Sequence, residues 1–109
     1  MHPLRGALFE NLVVSEMMKR KYNQGEQPQL YFYRDQRQHE VDLIDEMQDG
    51  TLRAYEIKAG KTFRQDYFTQ LAYLRSVLSD KLLSTQVLYD GEQENPQHID
   101  GFLNFKNLK

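Results

Sequence analysis

Two carboxylates and a lysine stand at spacings that suit divalent-cation and phosphate chemistry. Glu56 and Lys58 are two residues apart within residues 52–59, where Tyr55 and Ile57 alternate with Ala54, Glu56 and Lys58. That alternation predicts a strand with Glu56 and Lys58 on one face and Tyr55 and Ile57 on the other. Residues 39–47 alternate around Val41 and Leu43, which should point one way while Glu40 and Asp42 point the other. Asp49-Gly50 between the two segments is a strong hairpin signal, so the strands are expected to be antiparallel neighbours. Such a hairpin can bring Asp42 and Glu56 onto one face, close enough to share an ion, in registers the pattern permits but does not fix.

Hard divalent cations suit this set. Mg²⁺ takes one or two carboxylates, keeps several waters and leaves room for substrate phosphate oxygens; Mn²⁺ also favours oxygen donors. Lys58 could orient an attacking water or offset charge developing on phosphate. The Ile57 carbonyl would point toward the edge of the site as a further oxygen ligand. Glu10 fits from a helix, where Val13, Val14 and Met17 place it within or beside an apolar face. A carboxylate there is costly unless paired or metal-bound. Gln70, beside Leu71 and Leu74, could reach inward to hold water or phosphate.

Six elements must position these groups. Leu8, Phe9, Leu12, Val13 and Met17 recur at helical spacing within residues 4–22, and Asn23-Gln24-Gly25 supplies the stop. Strands are predicted at 29–34, 39–47 and 52–59, a second helix at 66–79, and a fourth strand at 82–89. Tyr67, Leu71, Leu74 and Leu78 form the apolar face of the second helix. Phe102, Leu103 and Phe105 suggest a short final strand. The order αβββαβ, with that weak ending, predicts an α/β domain with helices packed on a mixed sheet.

The ordered set resembles the PD-(D/E)XK nuclease pattern: Glu10 on a helix, Asp42 on a strand, Glu56-Ile57-Lys58 on the next, and Gln70 on a following helix. Closer phrasing comes from Gly6-Ala7-Leu8-Phe9-Glu10-Asn11, Tyr31-Phe32-Tyr33-Arg34, His39-Glu40-Val41-Asp42 and Tyr55-Glu56-Ile57-Lys58-Ala59. These resemble the DUF4143 domain, the C-terminal part of many prokaryotic AAA+ ATPases. The resemblance implies a restriction-endonuclease-like fold excised from a larger chain, with the ATPase modules and DNA or RNA as partners. It implies that Glu10, Asp42, Glu56, Lys58 and Gln70 carry the chemistry, and that Asp42, Glu56, Ile57 and Glu10 hold Mg²⁺ or Mn²⁺. Val41 stands where the motif has proline.

Plainer readings accompany each residue. Glu-x-Lys on a strand is frequent by chance, Gln70 suits a helix-surface amide, and Glu10 could simply pair with Lys58 or Arg34. Tyr31-Phe32-Tyr33 reads as sheet packing, and Asp45 and Glu46 as exposed near the hairpin end. A non-catalytic regulatory or docking module is the rival function. The net charge of −2 works against a simple nucleic-acid binder. The chain has no cysteine, which excludes disulfides and thiol catalysis. No apolar run approaches the ~20 residues that span a bilayer, so no membrane partner and a cytoplasmic location are expected. Ala59-Gly60-Lys61-Thr62 imitates the end of a P-loop, but Tyr55 occupies the position where that motif needs glycine.

Overall fold

A computed structural model describes residues 3–108. Five strands form one mixed sheet in the order β1-β2-β3-β4-β5: β1 (Leu30–Arg34), β2 (Glu40–Glu46), β3 (Leu52–Lys58), β4 (Leu82–Tyr89) and β5 (Gly101–Asn104). The first three strands are antiparallel neighbours, whereas β3, β4 and β5 run parallel. Helix α1 (Pro3–Asn23) covers one face and α2 (Thr69–Leu78) the other. The expected α/β class and the antiparallel hairpin are both present.

The two faces have separate cores. Val13 and Met17 of α1 pack with Leu43, Tyr55, Ile57, Leu88 and Leu103. Leu71 and Leu74 of α2 pack with Val41, Ile44, Ala54, Leu82 and Val87. Because β3 and β4 are buried on both faces, nearly every position in them is apolar or tightly packed, as expected of central strands. The turn between β2 and β3 closes with the Gly50 N–H on the Met47 carbonyl, and Gly50 adopts a φ of 87° that suits glycine.

Several expectations are corrected. Val41 and Leu43 lie on opposite faces, not the same one. Tyr31 pairs with Ile44 but Tyr33 pairs with Val41, so β2 carries one extra residue around Asp42 and Leu43. That bulge breaks the alternation. Asp45 is not exposed: it is 3% accessible and meets Lys21 Nζ of α1 at 2.9 Å. The second helix begins later than residue 66, because Gln65–Phe68 form a 3₁₀ turn before α2. Phe105 falls outside the last strand, in a 3₁₀ turn where Asn104 caps the Lys106 N–H, and its ring meets Phe9 edge-on at 5.1 Å. Among the described residues, no helix is long and apolar enough to cross a membrane.

Candidate functional site

The carboxylates meet where β2 and β3 separate. Backbone pairing between these strands runs from Glu46↔Leu52 to Leu43↔Tyr55 and goes no further. Beyond that point side chains take over the ladder. The Asp42 N–H donates to Glu56 Oε1 at 3.2 Å, and the Ile57 N–H donates to Asp42 Oδ2 at 2.8 Å. The β2 bulge is the local cause, because it turns Asp42 toward β3 while Val41 remains in the α2-side core.

Lys58 completes the cluster, with Nζ 3.6 Å from Glu56 Oε2 and 5.3 Å from the centre of the Tyr67 ring. Glu56 is 4% exposed, so its charge has left water and gained, among the described residues, one cation. Burial, and then the neighbouring Asp42 charge, push its carboxyl up to about 7. Burial also raises Asp42, opposed by the Ile57 N–H and by Lys58. Glu10 is raised by partial burial and by Asp42, with Lys58 working the other way. Three acids therefore share one field in which protons are retained more readily than in water.

The structure places the predicted residues unequally. Asp42, Glu56, Ile57 and Lys58 are in direct contact. Glu10 faces them across the edge of α1 and is electrostatically coupled to Asp42 and Lys58, without a hydrogen bond or salt bridge to either among the described residues. Its suggested partner Arg34 is engaged elsewhere, with Glu40 at 2.9 Å. Gln70 is engaged with His39 instead: its Oε1 lies 3.0 Å from His39 Nδ1. His39 also stacks on Tyr73 at 3.6 Å between ring centres.

Glu10, Asp42 and Leu43 line an open cleft of about 400 Å³ with Leu30, Tyr31 and Phe32. Tyr31 and Phe32 are 52% and 74% exposed. The expected sheet packing holds only for Tyr33, which is half-buried and donates to Asp35 Oδ2 at 3.1 Å. Edge position explains the other two rings: β1 has a neighbour on one side only. Sequence alternation did not single them out, because aromatic strand residues are usually core.

A metal can be tested against this donor set. Among the described residues, no group of three or more His, Asp or Glu side chains is gathered into a cage. Asp42 and Glu56 each give one oxygen to a backbone N–H, which leaves Asp42 Oδ1 and the Lys58-facing Glu56 Oε2. Two carboxylates with water completing the shell fit Mg²⁺. Ala59-Gly60-Lys61-Thr62 forms a loop rather than the turn into a helix that a phosphate-binding P-loop requires.

Residues 5–108 match a family described as Domain of unknown function (DUF4143). No curated protein and no solved structure matches the chain.

Proposed function

The chain belongs to the DUF4143 family, and we propose that its Asp42–Glu56–Lys58 cluster is the metal-dependent centre of a nuclease-like domain acting on nucleic-acid phosphodiesters. The observation that carries this reading is the pair of carboxylates held at a break in the sheet, next to a lysine, with Asp42 lining an open cleft beside Glu10. On this reading the sheet and its two flanking helices are of restriction-endonuclease type. The domain serves as the C-terminal module of a cytoplasmic AAA+ ATPase.

Asp42 and Glu56 would hold one Mg²⁺ or Mn²⁺. The Ile57 carbonyl would share the task, since the N–H and C=O of an extended residue face the same neighbour. A divalent ion there supplies Lewis-acid polarisation of the scissile phosphate. Glu10 would hold a water at the rim, and Lys58 would orient the attacking water and offset charge developing on the phosphate. Exposed Tyr31 and Phe32 give unpaired bases a stacking surface beside the acids. Gln70, turned to His39, has no direct part in this arrangement.

The test is cleavage of labelled DNA and RNA oligonucleotides in Mn²⁺. Lys58, with a side chain 38% accessible, can be replaced without emptying the core. Lys58→Ala should slow cleavage by about 10² or more, and Asp42→Asn should abolish it. Cleavage that survives Asp42→Asn refutes the assignment.

One observation favours a second reading, a non-catalytic regulatory or docking module of the ATPase. Both carboxylates already satisfy backbone N–H groups, so fold stability alone could retain them. That reading predicts folded wild type with neither metal binding nor cleavage.

A further inference from the structure

On the α1 side of the sheet, away from the acid cluster, Arg53, Tyr55 and Ser84 floor a cavity of about 660 Å³. Leu103, Leu108, His98 and Lys106 line its walls. Arg53 and Tyr55 share one face of β3, and strand alternation puts Glu56 on the other. This cavity is therefore separate from the acid cluster.

Its polar groups are unevenly satisfied. Glu94, the acid lining the cavity, already accepts from the Asn104 N–H at 3.0 Å and from Asn107 Nδ2 at 2.7 Å. Asp45, the cross-strand partner of Arg53, is held by Lys21 at 2.9 Å. The cations are the reverse case: among the described residues, neither Arg53 nor Lys106 has a carboxylate within salt-bridge reach. Ser84 is 4% exposed as a residue and lines the floor; its hydroxyl opens to the cavity and has no hydrogen-bond partner among the described residues. A hydroxyl that faces a cavity and has no protein partner marks a place where a ligand can supply one.

Two cations without a carboxylate partner, Arg53 beside the Tyr55 hydroxyl and Lys106 over the Phe105 ring, together with a cavity-facing hydroxyl, call for an anionic guest. We infer that this cavity binds a small organic anion, with a phosphate or carboxylate head on Arg53, Ser84 and Lys106 and an apolar body against Leu103 and Leu108. Arg53 supplies a planar fork that suits either head group. Lys106 at the rim supplies a point charge.

Titration of the full chain with phenyl phosphate and with benzoate, followed by amide chemical shifts, tests this. At least one should shift the Ser84 and Gln86 amides at millimolar concentration, and the tighter one identifies the head group. Benzyl alcohol, which has the ring without the charge, should leave them unmoved. Arg53→Gln should weaken binding about tenfold or more, and the exposed Lys106→Gln, which touches no core, should weaken it in the same direction. Asp42→Asn should bind as wild type does, so failure of the acid cluster and failure of this site are told apart. Absence of shifts with both anions, equal binding of benzyl alcohol, or unchanged affinity in folded Lys106→Gln and Arg53→Gln overturns the inference.

Discussion

Asp42 and Glu56 exchange roles across the break between β2 and β3: the Asp42 N–H donates to the Glu56 carboxylate, while the Asp42 carboxylate accepts from Ile57, the residue after Glu56. Each acid is thus a structural bond and a candidate ligand at once. Side chains bridge the strands where backbone pairing stops, and Asp42 lines a cleft while the second Glu56 oxygen faces Lys58.

The first consequence concerns stability at Asp42. Asp42→Ala leaves the Ile57 N–H without its acceptor, beneath a residue that is 7% exposed. A loss of about 1–3 kcal/mol in urea unfolding is expected. Asp42→Asn retains an oxygen at that place and should lose less. Equal losses for the two variants would show that the hydrogen bond is not what matters.

Glu56 makes stability depend on pH in a definite direction. Its carboxyl is raised from 4.5 to about 7 in the folded chain. Below the lower value both states hold the proton, and the folded state carries no penalty. Between the two values the unfolded chain ionises first, so stability falls as pH rises, and above about 7 the loss is complete. Glu56→Gln should therefore be nearly neutral under acidic conditions and stabilising above neutrality, by up to the order of 3 kcal/mol. Unfolding free energies measured across this range check the sign. A Glu56→Gln effect that does not change with pH contradicts it.

Lys21 and Asp45 form a buried pair, with side chains 12% and 4% accessible. Lys21→Met removes the partner and strands a carboxylate under α1, at a cost of about 3–5 kcal/mol. The double variant Lys21→Met/Asp45→Asn should recover part of that loss. Chemical denaturation of the two single variants and the double variant gives the coupling, and strict additivity would rule the pair out as a unit.

Phe32 separates binding from folding. At 74% exposure it contributes little to the core, so Phe32→Ala should change stability by no more than about 0.5 kcal/mol. If bases stack beside the acids, the same change should weaken single-stranded oligonucleotide binding by about 1–3 kcal/mol. Fluorescence anisotropy with a labelled oligonucleotide reads this directly.

Much of the arrangement was legible in the sequence because its period is regular there. Residues 52–58 alternate cleanly, and Asp49-Gly50 marks the turn, so the β2–β3 hairpin followed from local signals. The relation of Val41 to Leu43 did not, because a bulge is an agreement between two strands and β1 helps to set it. Asp45 looked like a surface acid because its partner Lys21 lies 24 residues earlier, on a helix whose packing on the sheet local pattern cannot reveal. Helical spacing puts Gln70 on α2, yet its direction depends on His39, a contact spanning 31 residues. The cavity over Arg53 and Ser84 left no motif at all, since parallel pairing of β3 with β4 creates it.

The central claim is that Asp42 and Glu56 form a divalent-cation site, and calorimetric titration of Mn²⁺ into wild type and Asp42→Asn tests it most directly. The account predicts saturable binding by wild type near neutral pH, strengthening as pH rises through about 7, where Glu56 gives up its proton. It predicts loss of that binding in the folded variant. Heat that is absent from wild type, or unchanged in Asp42→Asn, would contradict it.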